Sequence, residues 1–215
     1  MPKQPSTISE RIESILDFDK RIFFLILVIF FITIRYITND LILQSIPGYE
    51  KLDEEGSFMI FHIFNTLNYL WTPFALLWKF TLTAFLIWTG AFAFGYKISF
   101  KKLWQFVMVA EVVFILPELF KMIYFIQPSE NVSFQEIRDY YPLSLFSLVD
   151  PGSIPNRYHY PLRAINLFEV IYIYLLSLGF QYLTNRTFST SFFVILFSYV
   201  LFFLLWLGFY ILVYK

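Results

Sequence analysis

The chain has no cysteine among its 215 residues, which excludes disulfides, thiolate nucleophiles and cysteine-ligated metals. Histidine is nearly as scarce: His62 and His159 are the only two, too few for a multi-histidine zinc or haem centre. Lys and Arg total 16 against 16 Asp and Glu, so there is no basic excess to hold nucleic acid. Charge of either sign is thin, at 15%, whereas a soluble domain has roughly a quarter of its residues charged. Phosphate-cradling glycine loops, a GxSG-type serine motif and HExxH are also missing, which argues against an ATPase subunit and against the common serine and zinc intramembrane proteases. The expectation is a non-enzyme without catalytic, cofactor-binding or metal-binding residues.

What is present is apolar and clustered. Hydrophobic residues make up 58% of the chain, with 29 Phe and 15 Tyr, and they fall into blocks instead of alternating. A helix needs about 20 apolar residues to cross a hydrocarbon core of roughly 30 Å. By that measure the sequence predicts an all-α, polytopic transmembrane bundle of about five spans. They are placed at 22–38, 71–96, 103–125, 164–183 and 191–214, and 22–215 forms one membrane domain. Residues 57–70, SFMIFHIFNTLNYL, are too few to cross alone and are followed by Pro73. They read as an interfacial or re-entrant helix, or as an extension of the second span. Residues 1–21 read as a cytoplasmic amphipathic segment, with Ile8, Ile12, Ile15, Leu16 and Phe18 as an apolar stripe and Thr7 and Glu10 as a capping box. The acidic Glu10, Glu13, Asp17 and Asp19 before the first block, and the lack of a small-x-small cleavage site after it, point to a retained anchor and not a signal peptide.

Orientation follows from the short basic segments. Lys3, Arg11, Lys20, Arg21, Lys97, Lys101, Lys102 and Arg186 fall on one side of a five-span chain. The long loops 39–70 and 126–163 collect Asp40, Glu50, Asp53, Glu54, Glu55, Glu130, Glu136, Asp139 and Asp150 on the other. The N-terminus is therefore expected in the cytoplasm and the C-terminus in the periplasm. The second loop has Pro142, Pro151, Pro155 and Pro161 and a set of tyrosines, so it should be ordered by turns and membrane-skimming contacts, not by a long helix.

Ionisable residues within spans are functional candidates because a charge in hydrocarbon is costly. At 1.5 Å per residue, Arg35 and Glu118 lie about 20 Å and about 22 Å from the cytoplasmic ends, and Lys79 and Lys121 about 25 Å. Glu169 lies about 8 Å from the outer end. These five are expected to neutralise one another in the outer half of the bilayer. Glu111, Glu118 and Lys121 share one face of the third span, yet Glu111, at about 12 Å, has no evident partner in sequence. Gly90, Ala91 and Gly95 are the candidate helix-packing residues, in TGAFAFG. The fifth span has no charge and is expected to face lipid or another subunit.

The sequence DEEGSFMIFHIFN sets Glu54 and Glu55 ahead of His62, a faint likeness to glutamate-dependent CAAX-type proteases that fails for want of the arginine after the glutamates and of a second motif histidine. Two other stretches carry a broader likeness. AFLIWTGAFAFGYKISFKKLWQFVMVAEVVFILPELF, residues 84–120, is a span, a Gly-Tyr pair, a basic loop and a span. In residues 166–206 a span containing Leu178-Gly179 leads through a short polar turn to an all-apolar span. In this arrangement the chain resembles the Yip (Ypt-interacting protein) domain family and its bacterial relatives. The resemblance implies five spans with termini on opposite sides, and a non-enzymatic protein of the inner membrane that acts through other integral membrane subunits, near export systems. The expected partners are lipid and other membrane proteins, with a homo-oligomer as an alternative and no nucleic acid. The competing reading is a small transporter or channel component using the intramembrane Glu/Lys/Arg cluster.

Overall fold

A computed structural model of the chain describes residues 18–44, 49–54, 56, 58–126 and 134–214. The amphipathic segment expected over residues 1–21 lies outside these, apart from its last four positions. Phe18 packs its ring against Phe23 at 4.7 Å. Asp19 Oδ1 accepts the amide of Arg21 at 2.8 Å, an acidic cap at a helix start where free N–H groups and the helix dipole favour a carboxylate.

Helix α1, Lys20–Gln44, runs past the expected end of the first span. A short helix α2, Tyr49–Glu54, follows. Helix α3, Met59–Ala93, is continuous for 35 residues. Pro73 lies inside it without ending it, so residues 59–70 are an extension of the second span and not a separate re-entrant element. Proline removes one amide donor and strains the preceding turn, where the Thr72 hydroxyl also donates to the carbonyl of Asn68 at 2.9 Å. The α3 helix stops at Gly95, whose φ of +77° only glycine adopts without strain. Tyr96 N–H reaches back to the carbonyl of Ala91 at 2.8 Å and closes the end. Gly95 is thus a turn residue with open space around its α-carbon, not the packing residue expected from its spacing.

The third apolar block is helical but not uniform. Helix α4, Phe100–Ala110, leads through a tight 3₁₀ turn, Glu111–Phe114, into α5, Ile115–Phe125. Pro117 accounts for the turn: its ring crowds the carbonyl of Val113 four residues earlier, and the preceding backbone tightens. The next loop contains the short α6, Phe134–Asp139, a series of 3₁₀ turns, and α7, His159–Ala164. Leu143 and Leu145 exchange backbone hydrogen bonds with Leu167 and Ile165, an isolated antiparallel bridge that ties the loop to the start of the next helix. Among the described residues there is no β-strand. Helix α8, Leu167–Thr184, begins with Asn166 accepting the Glu169 amide at 2.8 Å and ends on Asn185 in the left-handed region. Helix α9, Phe188–Ile195, passes through a π turn, Leu196–Val200, into α10, Leu201–Val213.

Four stretches, Lys20–Asp40, Met59–Ala93, Leu167–Thr184 and Phe188–Val213, are long and apolar enough to cross a membrane. Short turns join α3 to α4 and α8 to α9, so each of these pairs forms an antiparallel hairpin. Arg186, in the turn after α8, lies 5.2 Å from the ring centre of Tyr96, in the turn after α3, so these two turns share one end of the bundle. At the other end Trp206 Nε1 donates to the Tyr160 hydroxyl at 3.3 Å. The core joins Phe80, Ala84 and Ile87 of α3 to Val107 and Met108 of α4, Tyr172 and Phe180 of α8, and Val194 and Ile195 of α9.

Two glycines set how closely these helices approach. A β-carbon on Gly90 would come within 2.3 Å of Ser198 Cβ in the π turn, and one on Gly179 within 2.0 Å of the Phe106 ring. The α9–α10 helix is therefore joined to the bundle along Ser191, Val194, Ile195, Ser198 and Tyr199, and most of α10 beyond them faces outward. Gly179→Ala is expected to lower unfolding stability in detergent by about 1–3 kcal/mol through overpacking. Adding Phe106→Leu should restore part of that loss. Gly208→Ala, in open space, should leave stability unchanged in the same urea or SDS titration.

Candidate functional site

The expected polar cluster resolves into two groups. One is centred on Glu111, which has no solvent exposure and forms an ion pair with Lys79 Nζ through Oε1. The pairing follows from the hairpin. Lys79 is about 21 Å of helix before the end of α3, and Glu111 about 17 Å after the start of α4. A lysine side chain spans the difference. The two helices of this hairpin are held in register by Trp88 Nε1 donating to the Ile98 carbonyl at 3.2 Å and Trp104 Nε1 donating to Thr81 Oγ1 at 3.1 Å. Lys79 Nζ also sits 3.7 Å from the centre of the Phe114 ring, a cation–π contact supplied by the 3₁₀ turn that begins at Glu111. Its side chain is 43% exposed, against 1% for Glu111, so the carboxylate is the buried member.

Glu169 completes this group from α8. It occupies the first turn, where the helix dipole favours a carboxylate, and its Oε1 accepts the Tyr199 hydroxyl at 2.7 Å. Both Lys79 and Glu111 lie within its electrostatic range. Tyr172 is buried among them, its ring 5.7 Å from that of Tyr199. Its hydroxyl lies beside Thr83 without a well-formed hydrogen bond, and Glu111 Oε2 also lacks one. Tyr199 and Tyr172 were not foreseen. Tyr199 belongs to the uncharged last block, read as facing lipid or a subunit, yet it presents its hydroxyl to Glu169. The signal in the sequence was the run Ser191, Ser198 and Tyr199, one polar stripe at helical spacing. The group sits between the 3₁₀ turn and the π turn, two departures from α geometry of a kind common at functional positions.

The second group is separate. Arg35, Glu118 and Lys121 line a polar cavity of about 360 Å³ between α1, the first half of α3, α5 and the loop after α6. Arg35 Nη1 donates to Thr72 Oγ1 at 3.4 Å, and the Asn39 amide donates to the Tyr69 hydroxyl at 2.7 Å. Among the described residues neither Arg35 nor Lys121 forms an ion pair, and Lys79 pairs with Glu111, which stood outside the five groups expected to neutralise one another. At the rim Tyr140 stacks on Tyr124 at 4.7 Å. Burial, and then Tyr124, pushes its phenol above the ordinary value, which keeps it a neutral donor. Arg163 pairs with Asp139 at 3.2 Å and lies over the rings of Tyr141 and Phe146, each at 4.3 Å. His62 is outside both groups, 2.9 Å from Asp53 at the surface. Among the described residues no cluster of three metal-ligating side chains occurs.

An all-helical chain with four helices of membrane-crossing length and apolarity is compatible with a multi-pass membrane protein. Comparison with protein-family models, curated proteins and solved structures finds no match to this chain.

Lys79→Met is expected to destabilise the bundle by about 3 kcal/mol, because it leaves the Glu111 charge buried and uncompensated. The double variant Lys79→Met with Glu111→Leu should recover most of the loss. Tyr199→Phe should cost about 1–3 kcal/mol by removing the donor to Glu169. A double-mutant cycle in SDS unfolding measures each value.

Proposed function

We propose that the chain is a non-enzymatic, multi-pass protein of the inner membrane, crossing it about five times, with the N-terminus cytoplasmic and the C-terminus periplasmic. In this reading it is an accessory or structural subunit of a membrane complex in export, secretion or envelope biogenesis. The crossing beyond the four long helices is Phe100–Phe125, broken in helix type but, at about 38 Å, long enough to span. The charge asymmetry of the loops supports the orientation, and the likeness of residues 84–120 and 166–206 to Yip proteins supports the class.

The observation that carries the subunit role is the length and face of α3. Its 35 residues measure about 52 Å, and membrane helices rarely tilt beyond about 40°. At that limit α3 still rises about 40 Å, more than the hydrocarbon core of roughly 30 Å. The turns left outside present Met59, Ile60, Ile63 and Phe64 as exposed side chains. An apolar stripe continuing past the hydrocarbon is best covered by another membrane protein. A second reading, a small transporter or channel component, is favoured by the polar cavity and by the unpartnered Glu111 Oε2. Retained function in Glu118→Gln, with reduced stability, would remove it.

Two measurements test the proposal. Extraction in mild detergent followed by affinity purification should recover a stoichiometric membrane partner. Ile63→Asn with Leu67→Asn should abolish its recovery without lowering the chain's unfolding midpoint; a lone chain or a homo-oligomer would contradict the subunit role. Because no native cysteine interferes, Ser153→Cys should react with an impermeant maleimide on intact spheroplasts, and Ser99→Cys only after permeabilisation. Labelling of both from one face would mean that Phe100–Phe125 does not cross.

A further inference from the structure

The cavity around Arg35 and Lys121 contains polar groups whose bonding capacity the described residues leave partly unfilled. Arg35 has a fork of five N–H donors, of which the one described bond is the 3.4 Å contact to Thr72. Lys121 has a ring contact to Tyr141 at 5.5 Å and no ion pair among the described residues. Thr38, on the same wall, is buried and its hydroxyl has no hydrogen-bond partner among the described residues. A buried hydroxyl without a partner costs about 1–3 kcal/mol, and its place on a lining shared with Arg35 and Lys121 points to a ligand that accepts hydrogen bonds.

The charge and shape of the lining narrow the ligand. Arg35 and Lys121 contribute two positive charges and Glu118 one negative, so the lining balances a singly charged anion. A phosphate monoester, close to doubly charged at neutral pH with a second pKa near 6, would leave an excess. Donors converge from three elements: Arg35 and Thr38 on α1, Asn65 and Asn68 on α3, and Lys121 on α5. That arrangement suits a tetrahedral acceptor better than a planar carboxylate. The tyrosines and Trp71 around the opening are of the type that sits at headgroup depth. The size is at the lower end for ligand pockets, roughly 300–1,000 Å³, which admits a headgroup but not acyl chains.

We propose that this cavity binds a phosphodiester monoanion, the chemistry shared by a phospholipid headgroup and its soluble deacylated form. Arg35 provides the paired donors, Lys121 the second charge and Thr38 a hydrogen bond to the remaining oxygen. The inference goes beyond the subunit role and does not depend on it.

The test uses the delipidated full chain in detergent, titrated by native mass spectrometry. Dioleoylphosphatidylglycerol should bind about tenfold more tightly than the phosphate-free digalactosyldiacylglycerol, and R35Q and K121Q should each remove about that factor. Thr38→Val, which deletes a hydroxyl that bonds none of the described residues, should weaken binding severalfold while leaving the unfolding midpoint in place, and so remains decisive should R35Q fold poorly. Displacement by glycerophosphoglycerol would identify the soluble diester as the source; selective lipid binding without displacement would identify the headgroup. Equal affinity for the two lipids, or a T38V variant that binds like the parent, overturns the proposal.

Discussion

The arrangement of this bundle depends on the ion pair between Lys79 and Glu111. A fully buried carboxylate is tolerable only with a counter-charge within reach, and here the counter-charge comes from the neighbouring helix of the same hairpin. That requirement fixes the register of α3 against α4. It also gives the 3₁₀ turn a role, since the turn begins at Glu111 and brings Phe114 against the lysine ammonium. Tyr172 and Glu169 then close the remaining side from α8. A shift of one turn in either member of the hairpin, about 5.4 Å, would separate the charges and leave Glu111 alone in the core.

Close helix approach makes this possible. Gly90 admits Ser198, and Gly179 admits the ring of Phe106. The first of these contacts draws the last helical stretch inward at its first half, and Tyr199 can reach Glu169. Without the Ser198–Gly90 and Tyr199–Glu169 contacts a stretch so apolar would have no reason to prefer the bundle over lipid, because burial against protein and burial against hydrocarbon are nearly equivalent for an aliphatic side chain. Polar contacts and small residues, not hydrophobicity, select its position.

Much of the architecture was legible in the sequence because apolar run length translates directly into helices of crossing length. Pattern alone misjudged the two prolines. Pro73 had been read as a separator, but α3 passes through it and Thr72 bonds to the turn before it. Pro117 had been passed over, yet it is the residue that breaks the third run into α4, a 3₁₀ turn and α5. The ionisable residues were found, but their grouping was not. Depth counted along each helix gives one coordinate of a side chain and leaves its azimuth open. Arg35, Glu118 and Lys121 share a depth with Lys79 but face a different gap between helices, whereas Glu111, counted as isolated, faces Lys79 directly.

Composition and order of residues by themselves determined that the chain is helical, that it has no cysteine and only two histidines, and which ionisable groups fall within apolar segments. The tertiary structure decided which of those groups meet, that Gly95 turns the chain while Gly90 packs it, and that an uncharged helix donates the Tyr199 hydroxyl. The reason is physical. Helix formation and apolar run length are local properties of the backbone and side chains, whereas the pairing of a buried charge depends on the rotation and separation of helices, which close contacts far apart in sequence impose.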